Sequence, residues 1–201
     1  MIRVLIAEDQ TLVRGALRAL LELEEDIEVV AEVGRGDAVV DTAREYRPDV
    51  ALLDIEMPGG DGIEAARALA TALPGCRAVI LTTFGRPGFL RRAMEVGAAG
   101  FLVKDAPVAE LARGIRAVMA GERVIDRDLA AAALALGATP LSQREAEVLR
   151  AGRDGATVAD IAARLFLSEG TVRNYLSGAI SKTGARTRVE AAHVAEEKGW
   201  L

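Results

Sequence analysis

The sequence predicts an α/β fold, a doubly wound five-stranded parallel sheet, joined to a small all-α unit of four helices. Three observations carry this prediction. Five short apolar runs alternate with stretches of helical spacing over residues 1–120, no strand pattern follows Thr139, and 201 residues suffice for two small domains. Strands that alternate with helices need cover on both sheet faces, which is the parallel, doubly wound arrangement.

The elements follow in order. Strand-like runs occur at Arg3–Ala7, Glu28–Val33, Val50–Asp54, Ala78–Thr82 and Gly100–Val103. Helical spacing fills Thr11–Leu23, Gly36–Tyr46, Gly62–Ala72, Gly88–Val96 and Val108–Met119. In the first of these, Leu12, Ala16, Ala19, Leu20 and Leu23 fall on one side at 3.6-residue spacing. Residues 121–138, acidic and then alanine-rich, read as a linker with room for a helical turn. Beyond it, Leu141–Gly152, Thr157–Leu165, Ser168–Thr183 and Thr187–Lys198 read as helices. Ser142 with Glu145 has capping-box spacing, and Thr157 with Asp160 has a weaker form of it. The expected division is therefore 1–120, a linker at 121–138, and 139–201.

Composition narrows the function classes. With 51% hydrophobic residues and only 6 Pro, neither a collagen-like nor a wholly disordered chain fits. A single cysteine, Cys76, forms no intrachain disulfide and no thiolate metal cluster, which fits a reducing cytoplasm. The start MIRVLIAEDQ has no secretory character and no apolar run reaches membrane-span length, so no stable membrane association is expected. The net charge of −5 is unevenly spread. Residues 1–120 carry net −5 and 137–201 net +1, while 164–188 hold Arg164, Arg173, Lys182, Arg186 and Arg188 against Glu169 alone. A basic helical stretch on an acidic chain suits phosphate contact, and it equally suits a merely solvated surface.

Parallel strands present their carboxyl ends along one rim. Glu8 and Asp9 follow the first strand and Asp54 ends the third. Three carboxylates brought together repel, so they need a cation or a raised pKa, and hard oxygen donors suit Mg2+. Thr82 and Lys104 add a hydroxyl and an ammonium from the fourth and fifth strand ends. This set suits phosphoryl transfer to a carboxylate, with Asp54 as nucleophile, Asp9 and Asp54 holding Mg2+, and Lys104 and Thr82 meeting the added charge. Any one of these residues also fits an ordinary exposed strand terminus; four coincident ends fit it poorly.

These residues sit in runs that resemble the receiver domain of two-component response regulators: IAEDQ at 6–10, LLDIEMPGGDG at 52–62, LTT at 81–83 and GFLVKD at 100–105. The resemblance covers nearly all of residues 1–120 and implies a CheY-like, flavodoxin-like fold. It implies Asp54 as phosphoacceptor, Glu8 and Asp9 as the acidic pocket, and a Mg2+ ligand from the Glu56 main-chain carbonyl. It further implies Thr82 as the switch hydroxyl, Phe101 as the switch aromatic and Lys104 as a phosphoryl contact, with Pro58 in the loop after the acceptor. Packing of the sheet edge is the competing role for Phe101. Family members associate through the face of residues 88–119, or through helices 11–23 and 108–119.

The second half carries its own signal. Ile161, Ala162 and Leu165 form an apolar stripe, Ser168 can cap the next helix, and Val172, Leu176 and Ile180 form its buried side. Residues 169, 170, 173, 174 and 177 are left outward. Any amphipathic helix pair would show this stripe, but it is also helix–turn–helix geometry. The words LSQREAEVLRAGRDG and LFLSEGTVRNYLS resemble the LuxR/NarL/FixJ-type DNA-binding domain over about 139–199. The resemblance implies base contacts from Arg173, Asn174 and Ser177, and phosphate contacts from Thr171, Lys182 and Arg188. Ser177 departs from the basic residue frequent there, which implies a smaller salt slope. The same resemblance makes Val189, Ala192 and His193 dimerisation candidates. The phrases DIEMPG at 54–59, LTTFGRPG at 81–88, GTVRNYLS at 170–177 and EKGW at 197–200 resemble a subgroup of regulators that control a membrane-lipid desaturase in response to membrane fluidity.

The expectation is thus a phosphorylation-dependent, DNA-binding transcriptional regulator, dimeric when phosphorylated. Its partners would be a sensor histidine kinase, promoter double-stranded DNA and RNA polymerase. The alternative is a phospho-regulated interaction module whose last domain only dimerises. An enzyme is not expected: a hydrolase using Asp54 would want Asp where Glu56 stands, and no substrate cap is visible.

Overall fold

The computed structural model describes residues 1–83, 87–104, 108–126, 129–131, 133, 139–153 and 155–201, without the side chains of Pro87 and Val108. Residues 127–128, 132 and 134–138 of the expected linker lie outside the described residues, as do 84–86 within the 81–88 run and Asp105 at the end of GFLVKD. The chain forms two compact units, Met1–Gly85 with Arg92–Ala130, and Arg86–Arg91 with Ala131–Leu201.

The first unit is built on six parallel strands: β1 (Ile2–Ala7), β2 (Ile27–Val33), β3 (Val50–Asp54), β4 (Arg77–Thr82), β5 (Gly100–Val103) and β6 (Val124–Ile125). Their order is β2-β1-β3-β4-β5-β6. Between them run α1 (Thr11–Leu21), α2 (Val39–Tyr46), α3 (Gly62–Ala72), α4 (Pro87–Glu95) and α5 (Val108–Met119). The five expected strands are all present. β6 adds a sixth to the sheet edge, pairing Val124 with Gly100 and Ile125 with Phe101 inside the stretch read as linker. The helix expected from Gly36 begins as a 3-10 turn over Gly36–Ala38.

Val4, Ile6, Val50, Leu52, Val79 and Leu81 alternate along β1, β3 and β4, so they share one sheet face, where Leu111, Ala112, Ile115 and Val118 of α5 cover them. β3 is buried along its whole length, as a central parallel strand must be. The chain leaves β1 for the β2 edge and returns on the other side to β3, which opens a crevice at the carboxyl ends of β1 and β3.

The second unit holds α6 (Gln143–Ala151), α7 (Val158–Leu165), α8 (Glu169–Thr183) and α9 (Arg188–Glu197). A Ser or Thr caps each one: Ser142, Thr157, Ser168 and Thr187 all accept a hydrogen bond from the amide three residues on. The first two complete reciprocal boxes with Glu145 and Asp160. Val148, Leu149, Ile161, Val172, Leu176, Ala179, Ala191 and Ala195 make the core.

Candidate functional site

β1 delivers Glu8 and Asp9 just past its end, β3 ends on Asp54, β4 on Thr82, and Lys104 follows β5. Glu8, Asp9 and Asp54 each offer a carboxylate oxygen within 4.8 Å of the others. The Lys104 Nζ lies 2.5 Å from Glu8 Oε2 and 2.9 Å from Asp54 Oδ1. Glu8, Asp54 and Thr82 are buried, whereas Asp9 is exposed. The rim therefore has an inner carboxylate pair bridged by one ammonium and an outer carboxylate open to solvent.

Burial pushes the Glu8 carboxyl above its ordinary value; the Lys104 hydrogen bond pulls it back, and the Asp54 charge adds to the rise. Burial likewise raises Asp54, against the opposing pull of Lys104. Burial would lower Lys104, but its bonds to Glu8 and Asp54 outweigh that and hold it above the usual lysine value. One ammonium cannot neutralise three carboxylates. Glu8 Oε2 is buried, with Lys104 Nζ 2.5 Å away. An all-oxygen donor set with surplus negative charge and one open side fits a hard divalent cation.

Close backbone approaches shape the loop after Asp54. A Cβ on Gly62 would overlap the Asp54 carbonyl oxygen, and the Gly62 amide donates to Ile55 O at 3.0 Å. Gly59 has φ +80°, a left-handed conformation, and a Cβ there would press on the Asp37 carboxylate. The expected main-chain ligand Glu56 lies in this loop with its side chain exposed, as does Pro58. Phe101 is fully buried and pairs in register with Ile80, which places it on the same sheet face as Thr82. The Lys104 amide donates to Thr82 O at 2.7 Å, tying the hydroxyl's strand to the lysine's.

In the second unit, Val172 and Leu176 are buried and Ile180 is half-buried, while Glu169, Gly170, Arg173, Asn174 and Ser177 are exposed along one side of α8. Thr171, half-buried, stands in its first turn, where its amide donates to the Ser168 hydroxyl at 3.1 Å. Arg173 pairs with Glu169 one turn earlier, at 2.6 Å. Two expected phosphate contacts are already engaged. Lys182 Nζ is 2.7 Å from Glu145 Oε2, and Arg188 donates to Ala156 O at 2.7 Å. Among the dimerisation candidates, Val189 and His193 are exposed, but Ala192 is 5% exposed and packs in the helical core because α9 turns that side toward α8 and α6. With Val189 and His193, Ala192 also borders an open surface depression.

Residues 4–116 match the model of the response regulator receiver domain, and 139–195 match that of the luxR family of bacterial regulatory proteins. The chain belongs to the LuxR-type response regulators. Over the full length of both chains this response regulator is 46% identical to the transcriptional regulatory protein DesR of Bacillus subtilis (strain 168). It is 37% identical to the DNA-binding transcriptional activator DevR/DosR of Mycobacterium tuberculosis, over 98% of this chain and 95% of that one. A structure of two RcsB dimers bound to two parallel DNAs superposes with a TM-score of 0.69 at 25% identity, covering 98% of each chain. The response regulator ChrA of a heme-sensing two-component system superposes at 0.59, with 37% identity over 100% of this chain and 98% of that one. The family is one of transcriptional regulators and not of enzymes. Among the described residues, no helix is long and apolar enough to cross a membrane.

Two contacts escaped sequence reasoning. The Lys182–Glu145 pair joins helices far apart in the chain, and Glu145 was legible only as half of a capping box. Arg14 donates to the Glu8 carbonyl at 2.6 Å, and nothing in the sequence distinguishes it from a solvated arginine on an amphipathic helix.

Proposed function

We propose that Asp54 accepts a phosphoryl group from a sensor histidine kinase and that the modified chain dimerises on promoter DNA, with residues 1–120 as phosphoacceptor domain and 139–201 as DNA reader. The observation that carries this reading is the convergence of Glu8, Asp9 and Asp54 within 4.8 Å, with Lys104 bridging the inner pair. An Asp54 carboxylate oxygen forms the new O–P bond as the donor's N–P bond breaks, and the imidazole leaves with the bond's electron pair. Asp9, Asp54 and the Glu56 carbonyl are the proposed Mg2+ ligands, with Glu8 lining the pocket. Bound there, the ion neutralises phosphoryl oxygens in the transition state.

Lys104 then exchanges part of its pairing with Asp54 for the phosphoryl oxygens, and the Thr82 hydroxyl donates to them. About −1.5 to −2 charge arrives at one point, and a shift of Thr82 along its face changes the packing of Phe101 beside it. Arg173, Asn174 and Ser177 are the proposed base readers on α8. Thr171, Lys182 and Arg188 are the proposed phosphate contacts, the last two oriented in advance by Glu145 and the Ala156 carbonyl. Val189, Ala192 and His193 are the proposed dimer contacts on α9. The protein acts in the cytoplasm, and RNA polymerase is the further partner of a regulator seated at a promoter.

The test combines sedimentation with promoter footprinting, with and without acetyl phosphate or the beryllofluoride mimic. A monomer–dimer shift together with a footprint that sharpens on activation supports the reading; no change in either overturns it.

A further inference from the structure

We propose that Arg14 is a positioning residue for the acidic rim, acting through the main-chain carbonyl of Glu8. The proposal rests on the reading of the rim as a Mg2+ and phosphoryl site.

Asp9 is exposed, so packing does not hold its carboxylate within reach of Glu8 and Asp54. The backbone of residues 8–10 must do so. Helix α1, which begins immediately after, lacks a side-chain cap: Gln10 occupies the cap position without such a bond. Arg14 supplies the missing tie from one turn further on. Its Nη1 donates to Glu8 O at 2.6 Å, while its amide makes the ordinary first helical bond to Gln10 O at 2.9 Å, so the side chain ties the start of the loop to a turn the main chain already fixes. The loop's other anchors are the Glu8 amide on Val33 O and the Gln10 amide on Glu8 Oε1.

The guanidinium is itself held. Its side chain is 20% exposed, its Nε lies 3.7 Å from Glu32 Oε2, and Glu32 Oε1 takes Arg18 Nη1 at 2.6 Å. Gly34 leaves the space open, since a Cβ there would come within 3.2 Å of Arg14 Nη1. The arrangement has the form of an outer-shell support, in which a fixed partner behind a ligand-bearing segment sets the ligand's orientation.

The sign of the effect separates this role from simple electrostatics. A guanidinium near the rim repels a cation, so by its field alone the removal of Arg14 would tighten Mg2+ binding. Removal of a positioning bond loosens it. Mg2+ is titrated into the full-length protein, followed by backbone amide shifts that also report the fold. Arg14→Met is expected to weaken Mg2+ binding about tenfold, the lower end of the range for outer-shell partners. Arg14→Lys should recover part of the loss. Arg18→Met, which removes the other partner of Glu32 and spares the Glu8 bond, should leave affinity unchanged. Affinity equal to or tighter than wild type in Arg14→Met overturns the proposal, as does an equal loss in Arg18→Met. Asp9→Asn tells the two levels apart. Mg2+ binding lost in Asp9→Asn but kept in Arg14→Met overturns the Arg14 role alone. Binding untouched by Asp9→Asn overturns the rim reading beneath it.

Discussion

Lys182 reaches from α8 back to Glu145 of α6, with 2.7 Å between Nζ and Oε2. Glu145 is buried at this point, lies against Gly178 of α8, and also accepts the Ser142 amide at 2.6 Å. One carboxylate thus closes a helix cap and fixes α8, the helix proposed to read DNA.

Glu145→Ala should destabilise the second unit by about 1–2 kcal/mol, since it removes half of a reciprocal cap and leaves a main-chain amide without its partner. Lys182→Met should cost about 1 kcal/mol, because the ammonium is partly exposed and solvent screens the pair. The sole tryptophan, Trp200, lies in this unit, so its fluorescence in a urea titration reports the loss without interference from the first unit.

The same carboxylate makes the unit acid-sensitive. Burial works against the charged form of Glu145, yet donation from Lys182 and Ser142 holds its pKa below the ordinary 4.5. A carboxyl depressed on folding contributes stability that is complete above the unfolded value and is lost as pH falls through the folded one. The urea midpoint of Trp200 fluorescence should therefore drop below about pH 4.5, and drop less steeply in Glu145→Gln.

Arg173 should separate binding from stability. Its bond to Glu169 is an exposed i,i+4 pair, so Arg173→Ala should change stability by less than about 0.5 kcal/mol. If it reads a guanine, promoter affinity should fall by about 1–3 kcal/mol with specificity relaxed at one base. Lys182→Met should instead weaken all sequences alike and lower the salt slope by about 1. Binding isotherms across a salt series distinguish the two.

At the rim, Asp54→Asn should abolish labelling by acetyl phosphate while raising the unfolding midpoint of the first unit in the absence of Mg2+. Burial has already raised the Asp54 pKa, so its ionised form opposes folding and a neutral amide relieves that. Circular dichroism melts of both proteins at neutral pH check the sign.

Gly62→Ala should cost about 3 kcal/mol, because its Cβ would meet main chain at Asp54 and not a side chain free to turn aside. Labelling at Asp54 should fall with it, since the displaced atom belongs to Asp54 itself.

The strands were legible because central parallel strands are buried on both faces and read as unbroken apolar runs, as Val50–Asp54 does. The two boxed caps were legible because a cap and its partner stand three residues apart in the chain. β6 was not, since two residues carry no period. Neither was the commitment of Lys182 and Arg188 to partners inside the domain, because a basic side chain long enough to touch a phosphate is long enough to touch a carboxylate or carbonyl instead. The inward packing of Ala192 was hidden for a related reason: an alanine on a helix fits both core and surface, and only the packing of α9 decides.

The strand order also sets how the two units can be made. Ile6 pairs with Leu52 and Leu52 with Val79, so no strand of the sheet finds its neighbour by a short hairpin. The four helices pack across the chain too, as Lys182 does on Glu145, but each closes its own hydrogen bonds and its own cap within a few residues. Loop closure before reward therefore delays every strand pair, whereas the helices can form before they pack. The DNA-reading helices should therefore fold on their own and fast when expressed as a separate fragment. The α/β unit that precedes them in the chain should be the slower half to fold.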